Sequence, residues 1–463
     1  MKKHIILCML FYSILSIGKS QIRLPNIFSD GAVLQRNSQV TLWGWASPAE
    51  KLAIIPSWSR DTIKTIVQNT AKWSVNIHTP EAGGPYEIKI IGSGSQPVTL
   101  HNIWLGEVWV CSGQSNMEFT YNWRKTKDVA ADFKTCDQYQ LHFFKVPKTT
   151  SAYPQDNCPG NWEICDSNTV KNFSAVAYFF GKKLNNNLHI PIGLISSNWG
   201  GTPAEVWTPD SIIENTPIIK QWHNKLTFHK NWPIEPGILY NAMIYPLIKM
   251  NIAGVIWYQG ESNVDNYGSY SELFKDMILS WRQAWQKEFP FYYVQIAPYK
   301  YPIKNGGAYI REAQTEALQL PGTGMVITSD IAGDTNDIHP HDKHDVGYRL
   351  AEIALNKTYE KKEFNHFSPV YDSSYIKGNK LYILIKNAED GLYTKGNIQD
   401  LYIAGNDSIY YPAKATLLKE EIVIDIKNVV KPAILIYGFD NTRMGNIFNK
   451  SNLPLAPFLV KLN

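Results

Sequence analysis

Four short segments of this chain bring hydroxyl, amide, carboxylate and imidazole groups together among glycines. The first is Cys111-Ser112-Gly113-Gln114-Ser115-Asn116-Met117-Glu118 and the second is Asn198-Trp199-Gly200-Gly201-Thr202-Pro203-Ala204-Glu205. The third is Tyr258-Gln259-Gly260-Glu261-Ser262-Asn263, and the fourth runs from Asp330 to Pro340 with Asp334, Asn336, Asp337 and His339. These are the parts of an acyl-transfer site. A serine hydroxyl needs a base to take its proton, a histidine needs a partner to fix its tautomer, and a tetrahedral oxyanion needs donors. Ser115, His339, Asp337 and the pair Gly201 and Asn263 can fill those roles in turn. Gln114, Gln259 and Glu261 lie in the same segments and are expected to meet the substrate.

The spacing of apolar residues predicts the elements that carry these segments. Apolar runs at Val108-Cys111, Ile192-Ser196, Ala253-Trp257, Tyr292-Ile296 and Met325-Thr328 alternate with helical patterns, including one around Ala175 to Leu188. The clearest helix runs from Tyr270 to Trp285, where Tyr270, Leu273, Met277, Trp281 and Trp285 recur at spacings of three and four. Ser269 with Glu272 predicts a capping box at its start. Strand and helix in series predict a parallel sheet covered on both faces, with its ligand site beyond the carboxyl ends of the strands. Four of the five strand ends carry the segments above.

Before and after this region the pattern shortens to alternating runs such as Trp73-Val75-Ile77 and Leu381-Ile383-Ile385, which predict all-β parts. The expected organisation is therefore a leader over 1–20, a β-sandwich-like part over 21–100, an α/β catalytic part over 101–360 and a β part over 361–463.

Met117 stands where a G-x-S-x-G elbow requires glycine, and no other such elbow occurs in the chain, which argues against an α/β-hydrolase. The sequence instead resembles the sialate O-acetylesterases and related carbohydrate acetylesterases of the SGNH hydrolase superfamily. The resemblance lies in Gly113-Gln114-Ser115-Asn116-Met117, in Gly200-Gly201-Thr202-Pro203 with Glu205 and Trp207, and in Gln259-Gly260-Glu261-Ser262-Asn263. It continues in Asp337-Ile338-His339-Pro340 with Lys343, Val346-Gly347 and Arg349-Leu350-Ala351, and covers about residues 101 to 357. It implies a three-layer, flavodoxin-like fold with flanking all-β parts and a serine esterase that removes O-acetyl groups from carbohydrates, of either the sialate or the acetylxylan type. It further implies Ser115 as nucleophile, His339 as base, and an oxyanion hole of the Ser115 N–H, Gly201 and the Asn263 side chain, with no cofactor. An Asp three residues before the histidine is usual in that superfamily, but here that position is Asn336. Asp337 can reach the imidazole from two residues away in an extended segment. Asp334 and a Ser-His dyad oriented by a backbone carbonyl are the alternatives.

Composition bounds the rest. The chain has 463 residues, 44% of them hydrophobic and 13% aromatic, enough for more than one core. With 45 Lys and Arg against 41 Asp and Glu and no block of like charge, nucleic acid is a poor partner. Lys2 and Lys3 followed by the apolar run Ile5 to Ile17 and Gly18-Lys19-Ser20 read as a signal peptide, too short to span a bilayer. A secreted or periplasmic protein without a membrane span is expected. Of five cysteines, Cys8 falls in the leader, Cys111 is expected to be buried and inert, and Cys136, Cys158 and Cys165 leave their pairing open. Arg282 and Arg311 are expected on solvated helix faces. Two rival readings are a carbohydrate-binding protein with a silent centre, and a metal-dependent hydrolase using His339, His341 and His344.

Overall fold

A computed structural model describes residues 21–364, 367–407 and 409–462, so the expected leader lies outside the described residues. Period-two alternation shapes the N-terminal part. Its strands are β1 (Val33–Gln35), β2 (Ser38–Trp45), β3 (Lys51–Pro56), β4 (Ile63–Ile66), β5 (Lys72–Thr79) and β6 (Gly83–Gly92). In β5 every second residue, Trp73, Val75, Ile77 and Thr79, turns inward.

The next strand, β7 (Val98–Gly113), is long enough to serve two parts of the molecule. Its first half pairs antiparallel with β6 and takes β1 alongside at Trp104–Gly106, while its second half lies in a parallel sheet. The boundary expected near residue 100 thus falls inside a strand, and backbone pairing runs through it. The remaining strands are β8 (Leu141–Lys145), β9 (Trp162–Ile164), β10 (Ile192–Asn198), β11 (Gly254–Tyr258), β12 (Phe291–Val294) and β13 (Thr323–Val326). Their order is β13-β12-β11-β7-β10-β8-β9, parallel throughout except for the edge strand β9. Sequence reading missed β8, whose Leu-His-Phe-Phe run is too short to announce itself.

Both faces of this sheet are apolar because helices cover both. The helices are α1 (Ser115–Glu118), α2 (Tyr121–Arg124), α3 (Lys127–Ala131), α4 (Ala175–Leu188), α5 (Asp210–Asn215), α6 (Pro217–His223), α7 (Tyr270–Trp285), α8 (Gly306–Glu316) and α9 (Lys343–Lys357). Val108, Val110, Val255, Trp257, Phe291 and Tyr293 pack with Leu273, Phe274, Met277 and Trp281 of α7. The alternate residues Trp109, Cys111, Ile256, Tyr292 and Val294 pack with Phe179, Phe180, Val346, Leu350 and Ala354 of α4 and α9. Each large side chain fully buried in these layers contributes roughly 1.5–3 kcal/mol.

Two local expectations are corrected, and the open question of the cysteines is answered. Ser269 gives α7 no side-chain cap, and its hydroxyl is buried with no hydrogen-bond partner, because Ser269 already has helical dihedrals as the last residue of a 3-10 segment. Arg282 and Arg311 are buried, not solvated: Arg282 donates to the Phe289 carbonyl and Arg311 to that of Asp440. The four described cysteines are free thiols, with Cys111 fully buried in β7.

The C-terminal part holds two four-stranded antiparallel sheets around Leu381, Ile383, Ile422, Ile424, Leu435 and Tyr437. Asn441 joins it to the α/β part: Nδ2 donates to the carbonyls of Tyr301 and Ile303, and Oδ1 accepts from the Gly307 N–H. Among the described residues no helix is long and apolar enough to cross a membrane.

Candidate active site

The turn from β7 into α1 positions Ser115. Gly113 has φ +137, and a Cβ there would lie 2.2 Å from the Tyr258 carbonyl oxygen, so the close approach of two strand ends requires glycine. Gln114 then ties the turn to the loop after β11. Its N–H donates to the Tyr258 carbonyl at 3.0 Å, its Oε1 accepts from the N–H groups of Gly260 and Ser262, and its Nε2 donates to Ser262 Oγ at 3.1 Å. Ser115 follows as the half-buried first residue of α1.

The Gly200-Gly201 turn after β10 folds over this segment. Glu118 accepts from the Gly200 N–H at 2.6 Å and pairs with Lys148 at 2.6 Å. Gly201 has φ +83 with the Trp232 ring packed where a side chain would go. A cavity of about 630 Å³ opens between these loops, and Ser115, Trp123, Trp199, Gly201, Glu261 and His339 are among its walls.

His339 reaches the cavity from the loop after β13. The Trp123 ring meets its imidazole edge-on, centroids 4.9 Å apart. Nδ1 of His339 lies 2.9 Å from Nη2 of Arg124 and 3.7 Å from Oδ1 of Asp337. That Asp337 oxygen accepts from the backbone N–H of His339 at 2.9 Å and lies 3.6 Å from Arg124. Burial, then the Arg124 and Lys343 charges, pull the imidazole pKa down to about 4, with Asp337 opposing. The Asp337 carboxyl is held below its ordinary value; burial opposes this, and the His339 N–H and the Arg124 charge outweigh it.

Beneath the two loops a buried polar chain connects them. Asn116 donates from Nδ2 to Glu261 Oε1 at 2.6 Å and to the Ile338 carbonyl at 3.1 Å, while its Oδ1 accepts from Lys343 Nζ at 2.7 Å. Burial raises the Glu261 pKa and lowers that of Lys343 to about 7. One Glu261 oxygen, Oε2, is buried without a hydrogen-bond partner.

Other expected residues sit differently. Asn263 is fully buried behind the cavity wall, and its amide donates to Glu205 Oε2 at 2.8 Å and Asn266 Oδ1 at 3.2 Å. Both amide hydrogens are therefore committed to these two acceptors. Its Oδ1 accepts from the Ala204 N–H at 2.8 Å and from Gln259 Nε2 at 2.7 Å. Gln259 is likewise fully buried, so it braces this network and does not face the cavity. Asp334 is exposed and accepts from the Asn336 backbone and side chain. The three histidines point to different partners: His339 to Arg124, His341 to Asp337 at 3.4 Å, and His344 to Asp345 at 2.8 Å. Among the described residues the ligand-type cluster close enough for a shared ion is Asp342, His344 and Asp345, which does not include His339.

Sequence reading missed Arg124 and Trp123, which sit on a one-turn helix with no periodic signal, and Trp232, which lies in an irregular loop. Lys343 belonged to a quoted motif but carried no role until its burial was seen.

Residues 105–356 match the family model described as carbohydrate esterase, sialic acid-specific acetylesterase. The chain is 29% identical over 412 residues to the sialate O-acetylesterase of Mus musculus, covering 75% of each protein. It is 27% identical over 399 residues to that of Homo sapiens, covering 77% of this chain and 75% of the human protein. The crystal structure of a carbohydrate acetylesterase from Xanthomonas citri superposes with a TM-score of 0.84 at 33% identity, covering 95% of this chain and 99% of that one. With the family model matched over more than half its length, this chain belongs to the sialic acid-specific acetylesterase family of carbohydrate esterases and is a carboxylic ester hydrolase.

Proposed function

We propose that the protein is an exported SGNH-type esterase that removes O-acetyl groups from carbohydrates through an acetyl-Ser115 intermediate. The observation that carries this reading is that Ser115 and His339, from opposite ends of the catalytic segment, face one cavity. His339 takes the Ser115 proton as the hydroxyl attacks the acetyl carbonyl, then gives a proton to the departing sugar oxygen. Water deprotonated by the same imidazole releases acetate. Asp337 is the acid that orients the ring. The N–H groups of Ser115 and Gly201 receive the oxyanion. Asn263 acts one layer behind: by holding the Ala204 N–H and Glu205 it fixes the turn that carries Gly201. In this reading residues 1–20 are a cleaved leader, 21–100 and 361–463 are β modules, and 101–360 is the catalytic domain.

Trp199, Asn231 and Trp232 form a wall shared with a second cleft of about 540 Å³, lined also by Phe228, which is 80% exposed. Aromatic faces there suit a sugar flanking the acetylated one. Replacing Ser115 by Ala should abolish acetate release from O-acetylated sialosides and xylo-oligosaccharides while leaving the melting temperature unchanged. Full activity in that variant would end the nucleophile assignment.

A further inference from the structure

The contact between Arg124 and His339 conflicts with a ring poised to act as a base. A guanidinium carries five N–H donors, has no acceptor and stays protonated. With Arg124 Nη2 at 2.9 Å, Nδ1 of His339 must be the acceptor, so the single proton of the neutral ring is on Nε2. A serine, histidine and acid relay needs the opposite tautomer, with the proton on the acid-side nitrogen and the serine-side nitrogen bare. Asp337 marks the acid side, yet it stands 3.7 Å from Nδ1, beyond hydrogen-bond distance.

We propose that Arg124 is a positioning residue that holds His339 in a resting tautomer, and that substrate entering against Trp123 draws Arg124 off so that Asp337 takes its place at Nδ1. This rests on the reading of His339 as the base. Three observations support it. Arg124 already lies 3.6 Å from Asp337, so a small swing of the guanidinium exchanges one partner for the other. Its Nε is buried with no hydrogen-bond partner, so that nitrogen does not fasten the guanidinium in its present place. And Trp123, its neighbour on α2, is 49% exposed, lines the cavity and contacts the His339 ring, so a sugar stacked there presses on the element that carries Arg124. In the exchange Nε2 gives its proton to cavity water and Nδ1 takes one from water, with no net change in charge.

The charged and titratable groups around the ring are Arg124 on α2, Lys343 on α9, Asp337 and His341 on its own loop, and Glu118 and Glu261 across the cavity. Arg124 and Lys343 both disfavour the imidazolium, and Asp337 favours it.

Nitrogen NMR of ring-labelled histidine reads the tautomer without turnover. Wild type free of ligand should carry the His339 proton on Nε2, and Arg124→Gln should carry it on Nδ1. The acid limb of the kcat/KM profile should move to higher pH in Arg124→Gln and stay low in Arg124→Lys, which keeps the charge. A wild-type ring already protonated at Nδ1, or a Gln variant with unchanged tautomer and acid limb, would overturn the proposal. Because the NMR readout needs no catalysis, its failure is distinguishable from failure of the Ser115→Ala test.

Discussion

At the scale of single residues, the site places titratable groups where burial and neighbours move them from their ordinary values. His339 is the clearest case, with its pKa pulled from 6.5 to about 4. Such an imidazole stays neutral in the folded protein while the unfolded chain takes up a proton near 6.5. Stability is therefore unaffected above pH 6.5, falls as pH drops toward 4 and loses no more below it, by about 3 kcal/mol in all at 1.36 kcal/mol per unit. Urea denaturation of wild type and of His339→Asn across that window should show the slope shrinking in the variant. Equal slopes would mean the ring titrates normally. The same depression predicts that kcat/KM holds up well below the ordinary imidazole range, with its acid limb at about 4 when wild type is assayed on acetylated sugar.

At the scale of elements, the decisive feature is the join between β7 and α1. Gly113 cannot accept a side chain without moving the Tyr258 backbone, against which Gln114 also pairs. Gly113→Ala should cost about 3 kcal/mol of stability, since backbone strain and a backbone clash add there. It should also lower kcat more than KM, because Ser115 is the next residue but one. Chemical denaturation with steady-state kinetics checks both. A variant as stable and active as wild type would show that this turn relaxes easily. The Asn116, Glu261 and Lys343 chain belongs to the same scale: it fastens α1 to the loops after β11 and β13 through one amide whose two ends have opposite partners.

At the scale of the whole molecule, β7 carries the N-terminal β part into the parallel sheet, while the C-terminal part is held by fewer ties. The Asn441 side chain makes three hydrogen bonds across that contact. At about 1 kcal/mol each, Asn441→Ala should weaken docking by roughly 2–3 kcal/mol. Limited proteolysis should then release the C-terminal part sooner than in wild type, with acetylesterase activity largely kept by the undigested protein. Unchanged protease resistance would move the docking energy to the apolar contacts.

The sequence alone determined the longer helices, the principal parallel strands and the neighbourhood of the chemistry. The helix over 270–285, the helix over 175–188 and the five principal parallel strands follow from apolar periodicity, which needs only local residue types. That Ser115, Glu261 and His339 share a cavity follows from their positions beyond parallel strand ends. Tertiary structure alone decided which way each polar group turns. Asn263 and Gln259 occupy the expected loops yet face inward, since the buried Glu205 takes the amide hydrogens of Asn263 and Gln259 is spent on Thr202 and Asn263. Arg124 comes to His339 across 215 positions of chain. A hydrogen bond depends on distance and direction within a few tenths of an ångström, and residue spacing along a strand or helix does not carry that information.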